Sequence, residues 1–190
     1  MYTKDISANV PLFAEDINGY CGEANAQMVR DGYPNRADRL YYRQDFLENI
    51  IRLYQSSRPQ DRCKYSTDPE GMKGCLESLS SYPVKWMVFS SSNRDNANRF
   101  ILISMNNLSF PTPVLVNSGH HWVVVVRFET DVDPSSSADA KLQYITVYDP
   151  EMPGSITMKT ARQWNRSSWF GRVKIPGTWK DRFVVVGQAV

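Results

Sequence analysis

The sequence predicts a single α+β domain, residues 1–190, in which a helix-rich half at about residues 20–108 packs on an antiparallel sheet at about residues 112–190. Two observations predict this division. Apolar residues recur at helical spacing through most of the first half. After Pro111 and Pro113 the pattern changes to β-branched runs separated by turn residues. The length suits one hydrophobic core, and no shift in composition marks a second domain.

The first helix is predicted to begin at Cys21, because Cys21, Ala24 and Met28 share one face at positions i, i+3 and i+7. A turn at residues 18–19 precedes this helix, and Gly32 follows its last apolar position. A thiol at a helix N-terminus lies beside unpaired N–H groups and the positive end of the helix dipole, which favour the thiolate. Cysteine is also among the most buried residue types, so this stretch alone leaves an inert core thiol open.

The other helices of the first half are predicted from apolar periodicity and from their caps. Residues 44–54 carry apolar side chains at helical spacing. Asp68 and Pro69 form a strong helix start, and Cys75 falls on the apolar face of the helix that follows. The remaining elements of this half are an extended segment at residues 10–13, expected to pack on the sheet, a strand at 84–89 and a helix at 93–106.

The second half is predicted to consist mainly of strands. The run 121–128 is too apolar to alternate, so both faces of this strand should be covered. Residues 131–139, which include Pro134 and three serines, predict an exposed hairpin loop. The remaining predicted elements are strands at 114–116 and 142–148, a capped helix at 155–169, and strands at 172–175 and 182–186.

Composition and charge argue against several classes of function. Lys and Arg number 22 against 20 Asp and Glu, without a basic run, so there is no footprint for nucleic acid or an anionic membrane. No apolar run approaches the ~20 residues of a membrane helix, and the first residues lack the apolar core of a signal peptide. We therefore expect neither a nucleic-acid nor a membrane partner.

The cysteines indicate neither a disulfide framework nor a cysteine zinc site. Cys21, Cys63 and Cys75 are odd in number and form no CxxC pair. A bridge between Cys63 and Cys75 that leaves Cys21 free stays open, although free thiols are the commoner outcome in a reducing compartment. No cofactor and no metal is expected.

The candidate chemistry rests on a cysteine, a histidine and an aspartate. His120 and His121 are the two histidines of the chain, at the entry of its most apolar strand. Strand alternation sends their rings to opposite faces, so only one can act as the base for Cys21. Asp149 ends the neighbouring strand, where the hairpin returns it to the start of the histidine strand. A carboxylate there could orient the imidazole and complete a catalytic triad.

Each residue also has a simpler interpretation. Asp149 followed by proline is an ordinary strand-to-turn signal, and the histidines fit one buried and one surface residue. A metal pair is disfavoured, because adjacent strand residues diverge and no third His or Cys is spaced to join them. The occurrence of all three residue types, each at the end of an element, favours the triad.

Three stretches resemble the papain-like cysteine peptidases of the C39-like group, which includes bacteriocin-leader peptidases and related bacterial effector proteases. The resemblance implies a papain-like fold in which Cys21 is the nucleophile, His121 the base and Asp149 the orienting residue. His120 is the less favoured base, because the family motif is glycine, histidine, aromatic, and only His121 directly precedes Trp122. The stretches are Tyr20-Cys21-Gly22-x-Ala24-x-Ala26-Gln27-Met28, then Pro113-Val114-Leu115-Val116 followed by Gly119-His120-His121-Trp122, and Val147-Tyr148-Asp149-Pro150.

One position departs from the family pattern. The family usually has a glutamine six residues before the cysteine as an oxyanion-hole donor, and Glu15 occupies that position here. An ionised carboxylate accepts hydrogen bonds and cannot donate one. Three outcomes stay open: Glu15 is protonated in a dry site, Asn18 supplies the donor together with the Cys21 backbone N–H, or the site is weak or inactive.

The resemblance implies a thiol hydrolase that forms an acyl-thioester on a peptide or protein substrate, in the bacterial cytoplasm or as an exported effector or toxin domain. Glu15 favours a second hypothesis, a catalytically weak or inactive papain-like module that binds a peptide or protein. A deamidase, transglutaminase or acyltransferase with the same triad is a third, because the triad does not determine which molecule accepts the acyl group.

Overall fold

The protein is described by a computed structural model that covers residues 1–32, 42–56, 67–80, 85–152 and 154–188. Within these ranges no helix combines the length and the apolar character needed to cross a bilayer. The helices are α1 (Cys21–Asp31), α2 (Gln44–Tyr54), α3 (Pro69–Ser78), α4 (Arg94–Leu108) and the short α5 (Ala161–Trp164). The strands are β1 (Tyr2–Asp5), β2 (Trp86–Ser91), β3 (Thr112–Val116), β4 (His121–Thr130), β5 (Leu142–Tyr148), β6 (Ile156–Thr160) and β7 (Phe183–Gln188).

The strands of the described residues form one antiparallel sheet in the order β2-β7-β3-β4-β5-β6, with β1 also paired to β4. The long strand β4 is its centre. One edge of β4 pairs first with β3, at residues 121–125, and then with β1, at residues 127–130. Its other edge pairs with β5. This pairing brings the end of β5 beside the beginning of β4.

Helix α1 lies at the centre of the molecule, packed between β4 on one side and α2 and α3 on the other. Every residue from Cys21 to Asp31 is buried, including its charged and amide side chains. Gly22 is needed at this position, because a Cβ there would lie 2.2 Å from the Thr67 hydroxyl oxygen. The first turn of α1 therefore sits in a closely packed environment that holds Cys21 in place.

Most predicted elements of the chain are confirmed. Helices α1, α2 and α4 begin and end within two residues of their predicted bounds, α3 begins where predicted, and the predicted cap at Asp68 is present. The Asp68 carboxylate accepts the Gly71 backbone N–H at 2.7 Å, and the Asn93 side chain accepts that of Asp95 at 2.8 Å. Strands β3, β4, β5 and β7 follow the predicted runs, and Cys75 is a free, fully buried thiol of α3. The mixed helix and antiparallel-sheet class is also confirmed.

Two predictions in the chain are wrong, and one strand was missed. The predicted helix at 155–169 is strand β6 followed by the single turn of α5. Residues 172–175 are not a strand: their backbone bonds to loops, with the Lys174 N–H donating to the Ser118 carbonyl. Strand β1 was not predicted, and residues 10–13 pack against the core without pairing as a strand. Cys63 and Val84 lie outside the described residues.

Candidate active site

The first turn of α1 presents Cys21 with its sulfur close to the start of β4. Cys21 is the first helical residue, after Tyr20 as N-cap, and is 5% exposed. No side chain caps this end of the helix. The backbone N–H groups and the positive end of the helix dipole therefore remain available to a negative charge on or beside the sulfur.

A buried amide joins α1 to β4. The Asn25 side chain, fully buried, donates from Nδ2 to the Cys21 carbonyl at 2.6 Å and to the Trp122 carbonyl at 3.0 Å. The Trp122 indole N–H in turn donates to the Thr67 carbonyl at 2.9 Å. Because Trp122 directly follows His121, these bonds hold the residue that carries the thiol against the strand that carries the imidazole.

His121 and Asp149 form a buried pair. The His121 Nε2 lies 2.8 Å from Asp149 Oδ1, and the two residues are 6% and 5% exposed. The same carboxylate oxygen accepts the Glu151 backbone N–H at 3.0 Å. A carboxylate oxygen only accepts hydrogen bonds, so the His121 Nε2 that faces Asp149 carries a proton. His120 is exposed, at the end of the turn before β4.

The thiol and the imidazole are neighbours in this site. The Cys21 sulfur, a His121 ring nitrogen and a Glu15 carboxylate oxygen lie within 4.8 Å of one another. Since Nε2 is bound to Asp149, Nδ1 is the nitrogen left for the thiol. Nδ1 is buried and has no hydrogen-bond partner in the described residues, although the Glu151 carboxylate, 62% exposed, lies 3.3 Å away.

The surroundings of His121 favour its protonated form. Burial alone would lower its pKa, but the hydrogen bond with Asp149, together with the neighbouring Cys21 and Asp149 groups, outweighs burial and raises the pKa of His121 to about 10. The site therefore places a protonated imidazole beside the sulfur, where it can serve as a proton donor.

Glu15 also reaches this site, whereas Asn18 makes no contact with it that the structure describes. The Glu15 carboxylate accepts the Gly19 N–H at 2.7 Å through Oε2, and its Oε1 is buried without a hydrogen-bond partner in the described residues. Its backbone N–H donates to the Pro150 carbonyl at 3.3 Å, beside the Asp149 turn. The Asn18 side chain is exposed and makes no hydrogen bond within the described ranges. Four of the five predicted residues thus come together.

Sequence reasoning missed two residues of this site. Asn25 stands four residues after Cys21 and therefore lies on the same helix face. A polar side chain on the buried face of a helix indicates a hydrogen bond to a neighbouring element. Glu151 stands two residues after Asp149, but an acidic residue in an Asp-Pro turn has no pattern that separates it from an ordinary surface charge.

Comparisons with known proteins give matches among solved structures only. No family model matches the chain, and no curated protein matches it. A double-glycine motif protease from an AMS/PCAT transporter, solved in complex with the leader peptide, is 13% identical with a TM-score of 0.52. The alignment covers 95% of this chain and 92% of that one.

A second solved structure is the peptidase domain of Streptococcus ComA, a bifunctional ABC transporter involved in quorum sensing. It is 15% identical with a TM-score of 0.52, and the alignment covers 94% of this chain and 96% of that one. Identities this low show the fold, and the coverage shows that the likeness spans nearly the whole chain. The protein therefore has the papain-like fold of C39-type peptidase domains, as its sequence motifs predict.

Proposed function

We propose that this protein is a papain-like cysteine peptidase or amide hydrolase in which Cys21, His121 and Asp149 form the catalytic triad. The observation that carries the proposal is the buried His121–Asp149 hydrogen bond of 2.8 Å beside a thiol at the start of the central helix. In this proposal the imidazole takes the proton of the thiol and the carboxylate orients the imidazole, which are the roles that hydrolysis by a cysteine nucleophile requires. The fold of the two peptidase domains supports the same class of activity.

The proposed reaction begins with attack of the Cys21 sulfur on a peptide carbonyl carbon. His121 holds the proton of the thiol on Nδ1 and gives it to the leaving amine as the C–N bond breaks, which leaves an acyl-thioester on Cys21. The imidazole then takes a proton from water, which attacks the thioester and releases the acid. Asp149 keeps the ring in one orientation and stabilises its positive charge.

Glu15 should slow this reaction, because it stands where the oxyanion needs a hydrogen-bond donor. The Cys21 backbone N–H, at the helix N-terminus, supplies one donor to the oxyanion. An ionised Glu15 supplies none and repels the developing charge. The loss of one oxyanion donor typically slows catalysis by ~10²–10³, so we expect a slow enzyme.

A peptide or protein is the proposed substrate class. One of the structures with this fold is a protease in complex with a leader peptide, which supports peptide binding by the fold. The second candidate function, a catalytically silent peptide-binding module, is favoured by the Glu15 carboxylate at the site. Deamidation or acyl transfer would use the same triad, with a different acyl acceptor.

The proposal is tested with a peptide library incubated with the protein and with Cys21→Ala, and analysed by mass spectrometry. We expect cleavage or an acyl-enzyme adduct of Cys21 that Cys21→Ala lacks. Iodoacetamide should label Cys21 faster than Cys75, which is fully buried in α3. Equal labelling of the thiols in the folded protein, or product formation that survives Cys21→Ala, would contradict the triad.

A further inference from the structure

Cys21, His121 and Glu15 lie together at the candidate active site. The proposed mechanism uses Cys21 and His121 and gives Glu15 no role. Glu15 brings a buried carboxylate oxygen that has no hydrogen-bond partner in the described residues. His121 Nδ1 is a second buried polar atom without such a partner, and the His121 residue is only 6% exposed. Buried polar atoms usually have partners, and the proposed mechanism gives His121 Nδ1 a role but none to the Glu15 oxygen, which therefore requires an explanation.

We propose that Cys21, His121 and Glu15 form a binding site for a single Zn²⁺ ion. Sulfur, imidazole nitrogen and carboxylate oxygen are the three ligand types that zinc takes in proteins. The three ligand atoms lie within 4.8 Å of one another. A tetrahedral zinc ion with bonds of about 2.0–2.3 Å holds its ligand atoms roughly 3.3–3.8 Å apart, so side-chain rotation of an ångström or so closes the site.

The environment of each ligand supports metal binding. Asp149 accepts the Nε2–H of His121, the same carboxylate–histidine arrangement that orients histidine ligands of zinc. The Gly19 N–H holds Glu15 Oε2, which leaves the buried Oε1 without a hydrogen bond in the described residues and free to bind the ion. Cys21 binds as the thiolate and its proton passes to solvent, while His121 binds through neutral Nδ1. The fourth position stays open for water.

No third His or Cys is spaced to join His120 and His121 around a metal, but zinc also accepts a carboxylate ligand. The ligand set takes only one of these histidines, since His120 is exposed, and the third ligand comes from the segment before α1. A glutamine at position 15 could bind zinc only weakly, through a neutral amide oxygen. The departure from the family pattern at Glu15 is thus the feature that creates the site.

Zinc at this position would occupy the sulfur and block attack on a substrate, a consequence that rests on the proposed function. Zinc binding itself does not rest on it. The site would then be an inhibitory or storage site for zinc, and the free thiol would appear only when zinc is removed.

The test is calorimetric titration of the chelator-treated protein with Zn²⁺, together with absorption spectra of its Co²⁺ form. We expect one equivalent of zinc and a thiolate-to-cobalt charge-transfer band that Cys21→Ala lacks. Glu15→Gln should weaken zinc binding by at least about tenfold, because it removes a charged ligand. Asp16→Asn, at the exposed neighbouring carboxylate, is the matched control and should bind like the unmodified protein.

A second pair of measurements separates the alternatives. Glu151→Gln should weaken zinc binding less than Glu15→Gln, because Glu151 contributes only a nearby charge; a loss as large as that of Glu15→Gln would assign the third ligand to Glu151 and overturn the proposal. Zinc should also slow iodoacetamide labelling of Cys21 in the unmodified protein, a result that needs no variant to fold. Binding that survives Glu15→Gln, or no binding at all, overturns the site. Peptidase activity without zinc binding refutes only this proposal, and zinc binding without peptidase activity refutes only the hydrolase.

Discussion

Glu15 is the residue whose substitution best separates an enzyme from a binding module. Its carboxylate lies within 4.8 Å of both Cys21 and His121, where the developing oxyanion needs a donor. Glu15→Gln replaces an acceptor by an amide that can donate, so we expect Cys21-dependent turnover to rise by ~10²–10³. The measurement is the rate of peptide cleavage for Glu15→Gln and for the control Asp16→Asn. A fall in rate would mean that the carboxylate itself takes part in catalysis.

Asp149 should control the protonation of His121. Its hydrogen bond and charge are among the causes that raise the pKa of His121 to about 10 against the effect of burial. Asp149→Asn removes the charge, so the pKa of His121 should fall toward neutral. Ring signals of His121 followed by NMR against pH measure this shift without any substrate. The exposed His120, the other histidine of the chain, is the internal control, since its signal should follow the same curve in both proteins.

Position in the sequence shows why the meeting of Cys21, His121 and Asp149 could be predicted and the contacts around them could not. Cys21, His121 and Asp149 each stand at the end of an element, where local patterns are clear. The antiparallel pairing of β4 with β5 brings Asp149 to His121, and the packing of α1 on β4 brings Cys21 to both. The contact of Glu151 with Nδ1 depends on the conformation of a turn, which residue types alone do not determine. The exposure of Asn18 is also a property of the folded turn.

At the scale of elements, Asn25 joins α1 to β4 through hydrogen bonds of one side chain to both. Asn25→Ala leaves two buried carbonyls without this donor, at a cost of roughly 1–3 kcal/mol in the free energy of unfolding. Urea denaturation measures the loss, and iodoacetamide labelling of Cys21 reports whether the site loosens.

Asn49→Ala is a matched control for this substitution. The Asn49 side chain makes the same contact with the carbonyl four residues earlier, that of Asp45 at 3.0 Å, but on the exposed face of α2. Its loss should cost little, because water replaces the bond. Equal destabilisation by the two substitutions would mean that the link between α1 and β4 contributes nothing specific.

Elements with strong end signals were predicted well, and the wrong predictions have identifiable causes. The predicted helix at 155–169 begins as strand β6, where Ile156 and Met158 are largely exposed at the edge of the sheet, so burial gives this strand no alternating apolar signal. Val173 and Ile175 are buried as a strand would require, but loop carbonyls bind their segment. β1 has four residues, alternately half-buried and exposed, too few for a periodic signal.

At the scale of the whole molecule, the full burial of α1 places a carboxylate where water is scarce. Glu23, two residues after Cys21, is 1% exposed; the Thr67 hydroxyl donates to its Oε1 at 3.0 Å, and its Oε2 has no hydrogen-bond partner in the described residues. Burial raises the pKa of Glu23 to about 7, in spite of hydrogen bonds from Thr67 and from its own backbone N–H that act in the opposite direction. In the folded protein the neutral form of the Glu23 carboxyl group is therefore favoured over its charged form more than it is in water.

Stability should fall as pH rises, first through Glu23 and then through His121. Between pH 4.5 and 7 the folded protein keeps a proton on Glu23 that the unfolded chain has lost, so the free energy of unfolding should drop by up to about 3 kcal/mol. Between pH 6.5 and 10 the raised pKa of His121 has the same sign, so a further decrease follows. Urea denaturation across this range measures both steps.

Glu23→Gln should abolish the first step and keep the second, because the amide oxygen can still accept the hydrogen bond from Thr67 without a charge to bury. Glu70→Gln, on the surface of α3, should keep both. If Glu23→Gln leaves the first step intact, the buried carboxylate is not its source, and another group must release a proton on unfolding.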